Sequence, residues 1–312
     1  MKKYAQLKVV LSLLGGAFIP LIRCSTKVTT EYYVHITDRT KPITIFSHGI
    51  GGSHKQGLRY KTLFSGFDLE SVNYIVFDYP DAPEKFFEKN PHTGLAQESE
   101  MIALDGAIEK VLEQINELEI ENPKVILFGV SRGASTIINV LGRRIKERKK
   151  LPNIVAVILE SPFAHCEDTL EGYATLFSLP QFFMRFLAKR FFKEYDSCKN
   201  APIDWLKEVT EQIPFLFICT EQDTVVPVKS TKKLGSFRQE ICQDTYLHAF
   251  KEGIHANLIW SAFGEEYAWQ LHAFYRFCGL PCDERLADLG SDMFEKSQVK
   301  KEEELSEEEN KK

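Results

Sequence analysis

The 312-residue chain has no CxxC pair among its seven cysteines and no Cys/His cluster with the spacing of a zinc site. Those absences argue against a structural metal. No internal repeat appears, and no linker marks off a second full domain. Long apolar runs are missing too. The stretch from Val9 to Ile22 has 14 residues, short of the roughly 17–25 that a membrane-spanning helix needs. There is also no excess of positive charge. The tail from residue 283 holds eleven acidic and six basic residues, which leaves the rest of the chain with 33 of each from totals of 44 and 39. A neutral body of this kind gives no reason to expect a nucleic-acid partner.

What is present is enough apolar material for a large core, 44% of all residues. The amino terminus has the form of an export signal. Lys2, Lys3 and Lys8 make a basic start, and the 14 apolar residues that follow suit a signal-peptide core. Arg23 breaks the small-residue pattern of a cleavage site and of a lipoprotein signal at Cys24. Residues 1–25 are therefore expected to be a signal peptide or a membrane anchor, placing the protein outside the cytoplasm or on a membrane; a cytoplasmic location stays open. In an exported protein, Cys166–Cys198 or Cys278–Cys282 are candidate disulfides. Buried free thiols are the alternative.

Beyond the leader, short apolar runs alternate with helical patterns. Residues 31–37 alternate apolar and polar side chains, as a strand with one face in solvent does. Runs at 43–46, 74–77, 125–128, 154–159 and 215–219 read as strands, with a weaker one at 245–247. The fully apolar runs fit a sheet with both faces covered. Helical spacing extends over 98–118 and 133–146, and a closing helix is expected over 257–277. This order predicts an α/β domain with a mostly parallel central sheet flanked by helices, over residues 28–282. Residues 163–212 are too many for one crossover, so a helical cap insertion is expected there. Residues 283–312 are expected to be a charged, disordered tail.

The motif richest in chemistry is Gly129-Val130-Ser131-Arg132-Gly133. It directly follows an apolar strand and directly precedes a helix. A turn that lifts a serine off a strand end leaves no room for side chains two positions to either side. It also presents the hydroxyl at a helix amino terminus, where negative charge is favoured.

Three further segments join it in sequence order: Phe46-Ser47-His48-Gly49-Ile50-Gly51-Gly52, Thr220-Glu221-Gln222-Asp223-Thr224-Val225-Val226-Pro227, and Gly253-Ile254-His255-Ala256-Asn257. With the serine turn, they resemble the α/β-hydrolase superfamily over residues 41–277, close to its esterase and oligopeptidase-like branches. The resemblance implies an α/β-hydrolase fold with Ser131 as nucleophile, Asp223 as acid and His255 as base. Glu221 is the nearest rival carboxylate, and His165, His248 and His272 are the rival bases. It also implies an oxyanion hole from the Arg132 N–H and from Ile50, with Gly49 second to Ile50. His48 is expected to be structural. Where many relatives have a glycine-rich loop after the next strand, this chain has the stiff segment Asp78-Tyr79-Pro80-Asp81-Ala82-Pro83, so substrate preference does not transfer from them.

The implied activity is hydrolysis of a carboxylic ester or thioester through an acyl-enzyme, with no cofactor and no metal. A serine peptidase with the same triad is the alternative enzyme, and a non-catalytic binding protein on the same fold is the alternative class. The expected partners are a small acyl substrate and, through the leader, a membrane; oligomeric state is not legible. In the cap, residues 179–195 interleave Phe182, Phe183, Phe186, Phe191, Phe192 and Tyr195 with Arg185, Lys189, Arg190 and Lys193. Such a segment could line an acyl pocket, touch a membrane surface, or seat the cap on the domain beneath it.

Overall fold

A computed structural model of the chain describes residues 30–65, 72–80, 94–192, 194–195 and 199–291. The leader, Cys24, Cys198, Lys193, the segment 81–93 and the tail beyond 291 lie outside the described residues, as does the Phe191 side chain.

Seven strands form one sheet in the order β1-β3-β2-β4-β5-β6-β7. They are β1 (Tyr32–His35), β2 (Ile43–Ser47), β3 (Asn73–Phe77), β4 (Val125–Val130), β5 (Ile154–Glu160), β6 (Phe215–Thr220) and β7 (Thr245–Phe250). β1 runs antiparallel to β3, with Tyr32 opposite Phe77, and every other pairing is parallel. The last strand is longer than its apolar stretch suggests, because its register with β6 continues to Thr220 opposite Phe250.

Among the described residues the strands are connected or covered by helices α1 (His54–Tyr60), α2 (Glu98–Glu117), α3 (Arg132–Lys146), α4 (Cys166–Phe177), α5 (Gln181–Phe191), α6 (Pro202–Leu206), α7 (Val228–Ile241) and α8 (Gly264–Phe277). Successive strand residues feed opposite faces. Val125 and Leu127 join a core with α2, α3 and α6, while Ile126, Phe128 and Val130 join a second core with α1 and α8. This is why the central strands are apolar throughout. A third, smaller cluster lies over the carboxyl ends of the strands and takes in α4 and α5.

Two expected boundaries move. The closing helix starts at Gly264 rather than at residue 257. Ala256 sits at φ +54° and Asn257 at φ −150°, which no helix can propagate, so a 3-10 turn at Leu258–Trp260 intervenes. At the other end, the ordered body passes residue 282. Residues 284–291 are helical, Ala287 is buried in the second core, and Arg276 pairs with Glu284 and Asp288. Glu284, Arg285 and Asp288 lie along a helix whose contact face is small, Ala287 and Gly290. Cys278 and Cys282 are free thiols, as are Cys166, Cys219 and Cys242.

The topology also positions the site. From β2 the chain moves outward to β3, then crosses back to β4 on the other side of β2. Strand order reverses between β2 and β4, and in open α/β sheets ligands bind at the carboxyl ends beside such a reversal.

Arg238 offers a test of the packing. It is fully buried on α7, stacks over the Phe215 ring at 4.7 Å, and donates to the carbonyls of Val209, Glu211 and Ile213 just before β6. Replacing it by Met leaves these carbonyls without their donor and should cost roughly 2–4 kcal/mol. Urea denaturation followed by circular dichroism would measure it, and an unchanged midpoint would contradict the assigned role.

Candidate active site

β4 ends in Gly129-Val130, and α3 begins at Arg132, so Ser131 alone must turn the chain. It does so at φ 54°, ψ −120°, a conformation that costs a non-glycine residue about 1–3 kcal/mol. The flanking glycines are required sterically. A Cβ on Gly133 would lie 2.0 Å from the Ser47 carbonyl oxygen, and one on Gly129 would lie 2.6 Å from the Ala134 Cα. The Ser131 N–H donates to the Glu160 carbonyl at 2.7 Å, which ties the turn to the neighbouring strand end.

The structure brings Ser131, Asp223 and His255 together from three strand ends. Ser131 Oγ lies 2.7 Å from His255 Nε2, and His255 Nδ1 lies 2.7 Å from Asp223 Oδ2. The carboxylate only accepts, so Nδ1 carries the proton and Nε2 is left to accept from the serine hydroxyl. Asp223 is held by the loop that bears it: its Oδ1 accepts from the N–H groups of Val225 and Val226, each at 2.8 Å. Its side chain is fully buried and that of His255 is 10% exposed.

The rival residues lie elsewhere. Glu221 is exposed and faces Lys232. His248 pairs with Glu266, the His272 ring accepts from the Asp283 N–H, and His165 caps α4. Burial lowers the pKa of both His248 and His272.

The loop after β2 separates the two candidate oxyanion donors. The Gly49 N–H is already committed to Gln56 Oε1 at 2.9 Å. No hydrogen bond to the Ile50 N–H is formed among the described residues. Gly51 follows at φ +68°, and its neighbour Gly52 donates back to the Gly49 carbonyl. Of the two loop candidates, only the Gly49 N–H is thus engaged by a side chain; the Arg132 N–H stands at the first residue of α3.

Under this loop runs a buried polar chain. His48 Nδ1–H donates to the Gly49 carbonyl at 2.8 Å, and its Nε2 accepts from the Tyr79 N–H at 3.1 Å. The Arg132 guanidinium lies over the Tyr79 ring at 4.7 Å and contacts Glu100 and the Gly49 carbonyl, both at 3.5 Å. With both ring nitrogens occupied, His48 has a structural part. Tyr79 and Glu100 belong to the same support, although nothing in their local sequence marks them.

Glu160 is the other residue that sequence reading missed. It ends the apolar strand β5, is fully buried, and its Oε2 accepts from the hydroxyls of Tyr60 and Tyr267, each at 2.9 Å. Burial raises its pKa, opposed by the two tyrosines, by nearby His255 and by the Leu258 N–H. A glutamate closing a run of six apolar residues was the available signal.

Over the site lies the third apolar cluster. Ile50, Phe163, Leu170, Tyr173, Val225 and Val226 come from the loop after β2, β5's exit, α4 and the Asp223 loop. Tyr173 is close enough to Asp223 and Arg132 to feel both charges; its pKa is raised by burial first and then by Asp223. On α5, Met184 and Ala188 face this cluster, whereas Phe182 and Phe186 are 73% and 63% exposed. Phe192 and Tyr195 pack inward. Phe182 and Phe186 thus face away from the cluster that Phe192 and Tyr195 join. Two surface cavities lie away from Ser131. One of about 370 Å³, between Lys41 and Lys124, is at the opposite ends of the strands. One of about 340 Å³ flanks Ile254 beside the His255 loop.

No protein-family model matches the sequence, and no curated protein matches it. Solved structures do. An esterase of Pyrococcus furiosus is 17% identical, with 82% of this chain and 97% of that one covered and a TM-score of 0.53. An esterase/lipase from an uncultured bacterium is 16% identical, with 86% and 89% covered and a TM-score of 0.54. A peroxisomal α/β-hydrolase of Saccharomyces cerevisiae is 12% identical, with 81% and 84% covered and a TM-score of 0.51. At these identities the likeness is one of architecture, and the architecture is that of the α/β-hydrolases, the fold to which this chain belongs.

Proposed function

We propose that the protein is a serine hydrolase that cleaves a carboxylic ester or thioester through an acyl-enzyme. The observation that carries the reading is the unbroken line Ser131–His255–Asp223, with both links at 2.7 Å. In this mechanism His255 Nε2 takes the Ser131 proton as Oγ attacks the acyl carbon. Asp223 keeps the proton on Nδ1 and stabilises the imidazolium that forms. The Ile50 and Arg132 N–H groups receive the oxyanion. The imidazolium then protonates the leaving alcohol or thiol, and the same cycle with water releases the acid.

The apolar cluster from Ile50 to Val226 supports an acyl group of medium or long chain as the preferred substrate. Esterases and lipases among the structural neighbours agree with ester chemistry. Their identity to this chain is too low to choose a substrate.

Hydrolysis of p-nitrophenyl esters from acetyl to long acyl tests the reading. The full chain should turn them over with a maximum beyond acetyl, and Ser131→Ala should abolish turnover. Equal rates on acetyl and decanoyl esters would remove the acyl pocket. Inactivity of both proteins on every ester would turn attention to peptides.

Asp223→Asn probes the second link. An amide leaves His255 free to adopt the wrong tautomer, so kcat should fall roughly 10³–10⁴-fold with little change in KM. A loss below tenfold would argue that another group orients the base.

The outward face of α5 supports a second contact. Phe182 and Phe186 stand among Arg185, Lys189 and Arg190, with no acidic residue on the helix. This is the composition of a helix that lies on an anionic membrane surface. Phe182→Ser with Phe186→Ser should weaken flotation with anionic vesicles and leave the acyl-chain profile unchanged. Unaltered flotation would exclude the face as a docking surface.

A further inference from the structure

Glu160 is expensive where it stands. Its carboxyl is fully buried, two tyrosine hydroxyls converge on one oxygen, and the Leu258 N–H, from the loop that carries His255, also favours its charge. His255, when protonated, is among the groups that favour its charge. A buried carboxyl without a fixed counter-ion is costly in its charged form.

Its connections all lead to the proposed triad. The Glu160 main-chain carbonyl holds the Ser131 N–H. Its side chain holds Tyr60, whose hydroxyl also lies 3.5 Å from the carbonyl of Ala256, the residue after His255. Tyr267 reaches it from α8, at the far end of the loop that carries the base. One residue therefore bonds to the nucleophile turn and to the helices on either side, and reaches the loop of the base through Tyr60. The titratable groups that face the carboxyl are Tyr60 from α1, Tyr267 from α8 and His255 from the loop, with Asp223 on the other side of the imidazole.

We infer that Glu160 is a positioning residue for His255: it fixes the base loop against the serine turn and supplies a second carboxylate close to the imidazolium that forms during proton transfer. The inference rests on the serine-hydrolase reading. Asp223 would hold the ring through a direct hydrogen bond, and Glu160 would act through space and through the loop.

The test is Glu160→Gln in the full chain, beside wild type and Ser131→Ala. Gln keeps the size and the oxygen that accepts from the two tyrosines, so it removes chiefly the charge. Two readouts apply: ester turnover, and the rate at which a fluorophosphonate probe labels Ser131, each as a function of pH. Removing a nearby carboxylate should cost about tenfold in kcat with KM little changed, and should move the acid limb of both profiles down by about one pH unit. Tyr267→Phe takes away one donor to the anion and should shift both profiles in the same direction by less. It serves if the Gln variant fails to fold.

A Glu160→Gln variant with wild-type kcat and an unmoved acid limb would overturn the inference and leave the triad standing, because Ser131→Ala would still abolish turnover and labelling. A wild-type protein that neither turns over nor labels at Ser131 would overturn both.

Discussion

Ser131 adopts a backbone conformation that a serine takes only under compulsion, and much of the domain can be understood as what compels it. β4 is clamped between β2 and β5, with Gly129 opposite Ser47 and Val130 opposite Glu160. The turn's own N–H is fixed by the Glu160 carbonyl at 2.7 Å, and its carbonyl accepts from Ser135 at 3.1 Å as α3 begins. Gly133 then passes so close to the Ser47 carbonyl that no side chain fits. Strain of about 1–3 kcal/mol persists where surrounding structure over-determines it, and here three strands and a helix do so. The same contacts fix the loop after β2 and the end of β5, which is why the candidate oxyanion donor and Glu160 are both found beside the serine.

Buried charge near the turn is arranged for geometry more than for stability. Arg132 and Glu100 are both almost fully buried and 3.5 Å apart. Such a pair is weak evidence of net stabilisation, because desolvation offsets the attraction. What it fixes is placement. Glu100 Oε2 accepts from the Gln97 N–H at the start of α2, and Arg132 reaches the Gly49 carbonyl and lies over Tyr79. The Tyr79 hydroxyl is 2.6 Å from Ser47 Oγ, and burial pushes its pKa up to about 12. It therefore stays protonated across the ordinary pH range.

The architecture was legible in the chain wherever one segment carries its own pattern. Apolar runs of four to six residues marked the parallel strands, and the glycines around Ser131 marked the turn, since the steric demand acts within five residues. Asp223 and His255 were legible through their local segments and order. Residues whose meaning depends on distant partners were not. Glu160 looks like the polar end of a strand until Tyr60 and Tyr267, 100 and 107 residues away, converge on it. Tyr79 likewise needs Arg132 above it. The delayed start of α8 was hidden because 257–263 keeps helical apolar spacing, and the positive φ at Ala256 is imposed by the turn at His255. The division of the aromatic residues of 182–195 between an exposed face and the third cluster is likewise set by packing.

The ends of the helices carry a related distinction. α2, α4 and α8 begin with acidic residues: Glu98 and Glu100, Glu167 and Asp168, Glu265 and Glu266. Each satisfies the positive end of its own helix, worth about 0.3–1 kcal/mol per charge. α3 begins with no acid in its first turn and ends with Arg143, Arg144 and Lys146. Its carboxyl end is therefore compensated while its amino end, at Ser131, is left uncompensated by its own sequence. α1, α5 and α7 also begin without an acid and end in basic residues, so the pattern is not peculiar to α3; what differs is that the amino end of α3 lies at Ser131. For the proposed chemistry it is useful, because the positive end of α3 is kept for a charge that exists only while the acyl carbon is tetrahedral, and a resident carboxylate there would compete with it. The Arg132 side chain does not alter this balance, since Glu100 draws it to the inner side of the turn. The main-chain N–H of Arg132 is left as the part of that residue aligned with the helix axis, in the position the reaction would use.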